Sequence, residues 1–359
     1  MSYIPIYFMN KTTVISYREA INTAIAQEMR HDQNVFVYGL DVSDHKRIFG
    51  STKGLVEEFG ASRCFGTPLS EDAMTGLGVG AAISGLRPIF IHIRADFMYL
   101  CLNQIANIIS SYRYLSGGKI KIPLVIRAVM GRGWGQGAQH SKSIHSILAH
   151  LPGIKVVMPT RPTDAKGLMI SAIRDDNPVV VLEHRWLYDT VGDVPTDDNF
   201  QIPIGEPNVL RSGKDLTIVA TSWMNIDALK AAEILEKKQS LDIEIIDPRT
   251  ISPLNYDIIY QSVKKTGHLI VADYDWLNCS FSAEVAARVS EQCFTDLKSP
   301  VTRLGFAFTP TPTTRSLEDC FYPNAITIIK TVEKKLKLSA TDLSDETFYT
   351  YENKFKGPF

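Results

Sequence analysis

The sequence predicts an α/β protein made of two parallel-sheet domains. Three observations carry this expectation. Short β-branched runs alternate with helical patterns in two successive series, the pattern of a parallel sheet covered by helices on both faces. Apolar periodicity fades between the two series, from Tyr188 to Ser212. The chain has 359 residues, more than a single hydrophobic core usually serves.

In the first series, Val35–Tyr38, Pro88–Ile93, Leu124–Ala128, Lys155–Met158 and Val179–Glu183 read as buried strands. Helices are expected at Tyr17–Arg30, Glu71–Ser84, Met98–Ser111 and Thr163–Ile173, with Thr163 as the N-cap of the last. The stretch from Gly192 to Asn199 is rich in turn formers and reads as a linker. In the second series, strands are expected at Leu216–Ala220, Ile243–Asp247, Leu269–Ala272 and Val301–Leu304. Its helices are expected at Asn225–Glu236, Tyr256–Thr266, Ser282–Gln292 and Ile326–Lys337. The domains would run over about 1–200, with the linker from about 188, and 201–340, leaving a polar tail at 341–359.

Bulk composition narrows the function classes. Lysine plus arginine (38) nearly balances aspartate plus glutamate (39), which gives no support to nucleic-acid binding or polybasic membrane attachment. No window approaches a membrane span. Met1 to Phe8 is apolar but lacks the basic region and long apolar run of a signal peptide. Five cysteines, none at CxxC spacing, read as free thiols in a reducing compartment. The expected location is cytoplasmic.

Glycine motifs are informative chiefly by what they exclude. Gly76-Leu77-Gly78-Val79-Gly80 has neither the preceding strand nor the spacing of a dinucleotide fingerprint, so close helix packing is the better reading. The chain has no Walker-type phosphate loop. It also lacks the Gly-Asp-Gly start and later Asn with which many thiamine-diphosphate enzymes hold magnesium; Gly192-Asp193 leads into Val194 and an acidic turn instead. Gly131-Arg132-Gly133-Trp134-Gly135-Gln136-Gly137 follows a strand, where ligands bind in open α/β sheets. Arg132 and Trp134 there suit a mobile loop that orders over a substrate, although a purely structural glycine loop is the rival reading.

An ordered series of segments, from about residue 11 to 337, resembles the beta subunits of the pyruvate, branched-chain and acetoin dehydrogenase family. It includes Thr67-Pro68-Leu69-Ser70-Glu71, Gly85-Leu86-Arg87-Pro88, Ala138-Gln139-His140-Ser141, Leu151-Pro152-Gly153-Ile154-Lys155-Val156-Val157-Met158-Pro159 and Asp247-Pro248-Arg249-Thr250-Ile251-Ser252-Pro253-Leu254. The resemblance implies a transketolase-like pyrimidine-binding domain followed by a transketolase C-terminal-type domain. It implies thiamine diphosphate shared with an alpha subunit that holds Mg2+, in an α2β2 heterotetramer. The reaction would decarboxylate a small 2-oxoacid and pass the acyl unit to a lipoyl group, with a lipoyl acyltransferase core as a further partner.

The resemblance also assigns residues. Glu71 matches the cofactor-activating glutamate, a carboxyl that donates to the aminopyrimidine ring and favours the tautomer able to take the thiazolium proton. Burial must then oppose the helix N-terminus, which favours the carboxylate. His140 matches the histidine that assists acyl transfer. Phe97 falls where an aromatic stacks on the aminopyrimidine, with core packing as the rival reading, and Leu69 and Ile93 are further cofactor-binding candidates. Leu124, Ala172, Ile173, Asp175 and Asn177 match a turn that binds potassium (K+), mainly through backbone carbonyls. His145 and His150 read as structural. Departures from the pattern include His92-Ile93-Arg94-Ala95-Asp96 in place of an apolar or threonine-rich stretch, and Tyr274-Asp275-Trp276-Leu277-Asn278-Cys279-Ser280-Phe281 in place of a glycine turn. They leave cofactor activation intact and put substrate and docking to a standard acyltransferase core in doubt. Rival functions are the C-terminal half of a split transketolase, a thiamine-dependent carboligase, or a non-catalytic scaffold; retention of Glu71 and His140 argues against the last.

Overall fold

The computed structural model describes residues 11–132 and 136–348. The first series of elements forms β1 (Thr12–Ser16), β2 (Val35–Gly39), β3 (Cys64–Gly66), β4 (Arg87–Ile93), β5 (Val125–Met130), β6 (Lys155–Val157), β7 (Val179–His184) and β8 (Val191–Pro195). The second forms β9 (Asn208–Arg211), β10 (Leu216–Ala220), β11 (Ile243–Asp247), β12 (Thr250–Ser252), β13 (Leu269–Trp276) and β14 (Thr302–Phe306).

The larger sheet has seven strands in the order β12-β6-β7-β5-β4-β2-β3, parallel except for β12. The smaller has five in the order β14-β13-β10-β11-β9, parallel except for β9. Central strands such as β5 (Val-Ile-Arg-Ala-Val-Met) and β7 (Val-Val-Val-Leu-Glu-His) are buried at every residue. Helices cover both of their faces, which is why they read as continuous apolar runs.

Three polar residues interrupt those runs, Arg127, Glu183 and His184, and the first two answer each other. Arg127 on β5 donates to both carboxylate oxygens of Glu183 on β7, at 2.6 and 2.8 Å, and neither side chain reaches solvent. Tyr188 donates to the same carboxylate at 2.6 Å, and Ser51 accepts from Arg127 at 2.9 Å. The bidentate geometry and additional hydrogen bonds are what make such burial tolerable.

Several expectations need correction. The turn-rich stretch after Gly192 is not a linker at its start: Val191–Pro195 pairs antiparallel with Thr12–Ser16. Thr163 is not an N-cap. Arg161 takes that place and Pro162 occupies the first helical position, where its missing N–H costs nothing. The Thr163 hydroxyl instead donates to the Asp193 carbonyl, tying the helix Pro162–Arg174 to β8. The expected helix Met98–Ser111 keeps its buried face at Met98, Cys101, Ile105 and Ile109. Its hydrogen bonding breaks into a 3₁₀ stretch at Ala95–Cys101 and a π-helical stretch at Gln104–Ile109.

The two series are joined by more than a covalent connection. β12, from the second series, completes the edge of the first sheet beside β6. Arg249 bonds buried Asp164 at 2.9 Å. His145 is fully buried, with Nε2 2.9 Å from Asp273 and Nδ1 2.8 Å from Ser143. Burial alone would disfavour its charged form, but the facing Asp273 carboxylate prevails and raises its pKa. This is a paired structural histidine, as the sequence suggests. None of the five cysteines forms a disulfide. No helix among the described residues is long and apolar enough to cross a membrane.

Candidate active site

The carboxyl ends of β2 and β4 open onto a small, open-sided cleft. This is the end of an open parallel sheet at which ligands bind. Leu40, Thr67, Pro68, Leu69, Ser70, Glu71, Met74, Phe90, Ile91, His92, Ile93 and Phe97 line it. The structure therefore brings Leu69, Glu71, Ile93 and Phe97 to one wall. The helix Glu71–Ile83 supplies the carboxylate at its first residue. Gly78 lets that helix lie close to β2, because a β-carbon there would stand 2.2 Å from the Tyr38 hydroxyl oxygen. The sequence reading of this glycine run as a packing device holds at that position.

His140 joins the site through Phe97. Their rings meet edge to face with centroids 5.3 Å apart. The wall has a single acidic group and no lysine or arginine. His92 is buried and its pKa is pushed down to about 3 by desolvation, so it too is neutral. An apolar slot with one carboxylate suits a flat, uncharged heteroaromatic ring with a polar edge. It has no cation for a diphosphate, and the helix N-terminus that opens on it already carries the Glu71 carboxylate. The residues present thus fit the pyrimidine half of thiamine diphosphate only. Among the described residues, no group of three or more His, Cys, Asp or Glu side chains could hold a metal ion.

The turn suggested for potassium lies at the amino ends of β4, β5 and β7, the end of the sheet opposite the cleft. Arg87 donates to the Ile173 and Asp175 carbonyls at 3.0 and 3.1 Å, and the Leu124 carbonyl accepts from Val179 at 3.0 Å. The Asp175 carboxylate binds Lys155 at 2.5 Å and Asn177 at 2.8 Å. Ala172 is buried beside them. The Ile173 and Asp175 carbonyls thus already serve the Arg87 guanidinium, each with a second lone pair left over.

One expectation about the glycine loop is overturned. Arg132 does not project from a mobile backbone. Its guanidinium is buried between the rings of Trp186 and Tyr322, at 4.0 and 4.6 Å. Its N–H donates to the Tyr274 hydroxyl at 3.2 Å. Trp186 from the first series and Tyr274 and Tyr322 from the second thus hold the start of the loop, because a guanidinium stacks well on aromatic faces. Trp134, with Gly133 and Gly135, lies outside the described residues.

Comparison with known proteins identifies both domains. The model of the transketolase pyrimidine-binding domain matches residues 13–190, and that of the transketolase C-terminal domain matches 205–328. The chain is 41% identical over 333 residues to the acetoin:2,6-dichlorophenolindophenol oxidoreductase subunit beta of Cupriavidus necator, covering 90% of this chain and 98% of that one. It is 42% identical to the 2-oxoisovalerate dehydrogenase subunit beta of Bacillus subtilis, covering 81% and 89%. The chain belongs to the beta-subunit family of the 2-oxoacid dehydrogenases. A pyruvate dehydrogenase E1 component subunit beta from Rhizobium meliloti is 40% identical, covering 89% of this chain and 69% of that one. A solved split-gene transketolase, described as an inactive beta4 tetramer, superposes with a TM-score of 0.71 at 22% identity, covering 91% and 99%. That likeness shows the fold alone. Membership in the beta-subunit family implies thiamine diphosphate as cofactor and an alpha subunit as partner.

Sequence reasoning missed the residues that hold the loop around His140. Arg94 donates to the Gly131 carbonyl at 2.8 Å and to the Gln136 side chain. Asp96 accepts from the Lys142 N–H at 3.1 Å. The only signal was that Arg94 and Asp96 stand in a stretch that departs from the family pattern.

Proposed function

We propose that this chain is the beta subunit of a thiamine-diphosphate-dependent 2-oxoacid dehydrogenase that transfers the acyl unit to a lipoyl acceptor, in an α2β2 complex in the cytoplasm. The observation that carries the reading is the cleft itself, with Glu71, Leu69, Ile93 and Phe97 on one wall and His140 against Phe97. Bound thiamine diphosphate would supply the electron sink for decarboxylation. Glu71 would donate to the aminopyrimidine edge, Phe97 would stack on its face, and Leu69 and Ile93 would exclude water. His140 would hold or move a proton during transfer to the lipoyl group. Carbonyls of Leu124, Ala172, Ile173, Asp175 and Asn177 would hold K+, and Mg2+ would come with the diphosphate site of the alpha subunit. A lipoyl acyltransferase core is the proposed acceptor-bearing partner.

The surface supports a covering partner. Leu69 is 72% exposed and Leu100 61%, while Leu77 and Ile83 on the helix Glu71–Ile83 are 43% and 40% exposed. Apolar surface of this kind beside a cleft marks an interaction site. Purified alone, the chain should bind thiamine diphosphate and magnesium weakly or not at all, with tight binding once the alpha chain is added. Calorimetric titration measures both, and screening 2-oxoacids for carbon dioxide release by the complex tests the reaction. Decarboxylase turnover by this polypeptide alone would overturn the split-site reading. The split-gene transketolase fold keeps one rival in view: turnover of a ketose phosphate in place of a 2-oxoacid would favour it.

In the complex, His140→Ala should impair transfer to lipoyl acceptors by roughly 10²–10⁴-fold, the range for removal of a general acid–base group. Cofactor binding should change little. Unaltered single-turnover transfer would remove His140 from the step.

A further inference from the structure

Three residues just after Ile93 in the chain hold four points of the segment that carries His140. Arg94 comes directly after Ile93 and is 3% exposed. One arm of its guanidinium donates to the Gly131 carbonyl at 2.8 Å and the other to the Gln136 side-chain oxygen. It therefore spans the two ends of the loop. Asp96, 6% exposed, accepts from the Lys142 N–H at 3.1 Å, just past His140. Phe97 packs on the His140 ring itself. On the opposite side, a β-carbon at Gly137 would stand 2.4 Å from the Thr313 hydroxyl, so the loop is also pressed against the second domain.

Among the described residues, the hydrogen bonds of Arg94 go to neutral oxygens. A buried guanidinium is an expensive way to satisfy two neutral acceptors, since its desolvation is only partly offset. A long planar fork can, however, reach two separate acceptors in fixed directions. Residues that carry such a cost are found where geometry is needed for function.

We propose that Arg94 is a positioning residue: by clasping Gly131 and Gln136, it sets His140 against Phe97 at the distance from the cleft that acyl transfer requires. This rests on the reading of the chain as an acyl-transferring beta subunit. Arg94 acts only through the loop. Its loss should therefore impair the step that uses His140 and spare the step that uses Glu71.

The test uses Arg94→Met, Arg94→Lys and Gln136→Leu. Hydrogen exchange of the 136–142 backbone in the isolated chain gives a readout independent of activity. Loss of the clasp should speed that exchange on the order of tenfold or more. In the complex with the alpha subunit, Arg94→Met should lower kcat for transfer to a lipoyl acceptor by about 10²-fold, the scale of a misplaced group. KM for the 2-oxoacid and proton exchange at the thiazolium carbon should stay within about threefold. Arg94→Lys, which can reach one acceptor, should restore part of the transfer rate. Unchanged protection of 136–142 in Arg94→Met overturns the proposal, as does an equal loss in proton exchange and transfer. Should Arg94→Met fail to fold, Gln136→Leu removes one arm without touching the buried charge, and unchanged exchange and transfer in that variant overturn the proposal too. A wild-type complex with no lipoyl transfer would instead refute the functional reading, while the exchange result still decides whether Arg94 holds the loop.

Discussion

Glu71→Gln should slow proton exchange at the thiazolium carbon of the assembled complex by roughly 10²–10⁴-fold, the range for loss of a general acid–base group. The fold should be unchanged, because the two side chains have the same shape and Glu71 forms the first turn of a helix whose start makes no side-chain cap. An amide can still donate a hydrogen bond to the aminopyrimidine edge, but it cannot give up and regain a proton. Binding of the cofactor should therefore persist while its activation fails. NMR of hydrogen–deuterium exchange on the bound cofactor measures this directly, and exchange within about threefold of wild type would exclude Glu71 from the mechanism. Glu71 is only partly buried in the single chain, beside the exposed Leu69. The water exclusion that the chemistry needs must then be completed by whatever covers this face, which is why the experiment belongs in the complex.

Arg127→Met should destabilise the protein by about 3–5 kcal/mol, the usual cost of breaking a buried ion pair by removing one partner. The carboxylate of Glu183 would remain in the middle of the sheet with Tyr188 as its remaining donor. Adding Glu183→Gln to the same chain should recover a large part of the loss, since a neutral amide no longer needs a counter-charge. Urea denaturation of the single and double variants gives the comparison. A loss below about 1 kcal/mol for Arg127→Met, in the range of an exposed pair, would mean that the pair is not desolvated as the structure has it.

These two residues illustrate what a sequence shows and hides. Glu71 and His140 stood out because each sits in a segment that resembles the family's, and Phe97 because of its position alone, behind a stretch that departs from the pattern. The central strands were legible because β-branched runs buried on both faces leave an unmistakable composition. The pairing of β1 with β8 was not. Thr12–Ser16 is largely exposed, and its partner contains Gly192, Asp193 and Pro195, which read as turn formers. β12 has only three residues and is a strand by virtue of its neighbour, not its composition. Arg94 was visible as a departure from pattern, but not as a clasp. Its acceptors lie 37 and 42 residues away, and a contact between two irregular segments leaves no periodicity to read.

The sealing of the first sheet by β12 has a consequence for the order of synthesis. β6 ends at Val157, but the strand that covers its open edge begins at Thr250. A ribosome must add the whole intervening length before that edge can be capped, and an uncapped edge is a template for pairing with other chains. A polypeptide terminated near residue 200 would hold nearly all of the larger sheet and still lack its lid strand. Such a fragment should aggregate when expressed, however complete its cofactor cleft, so dissection at the apparent boundary between the two domains would discard part of the first.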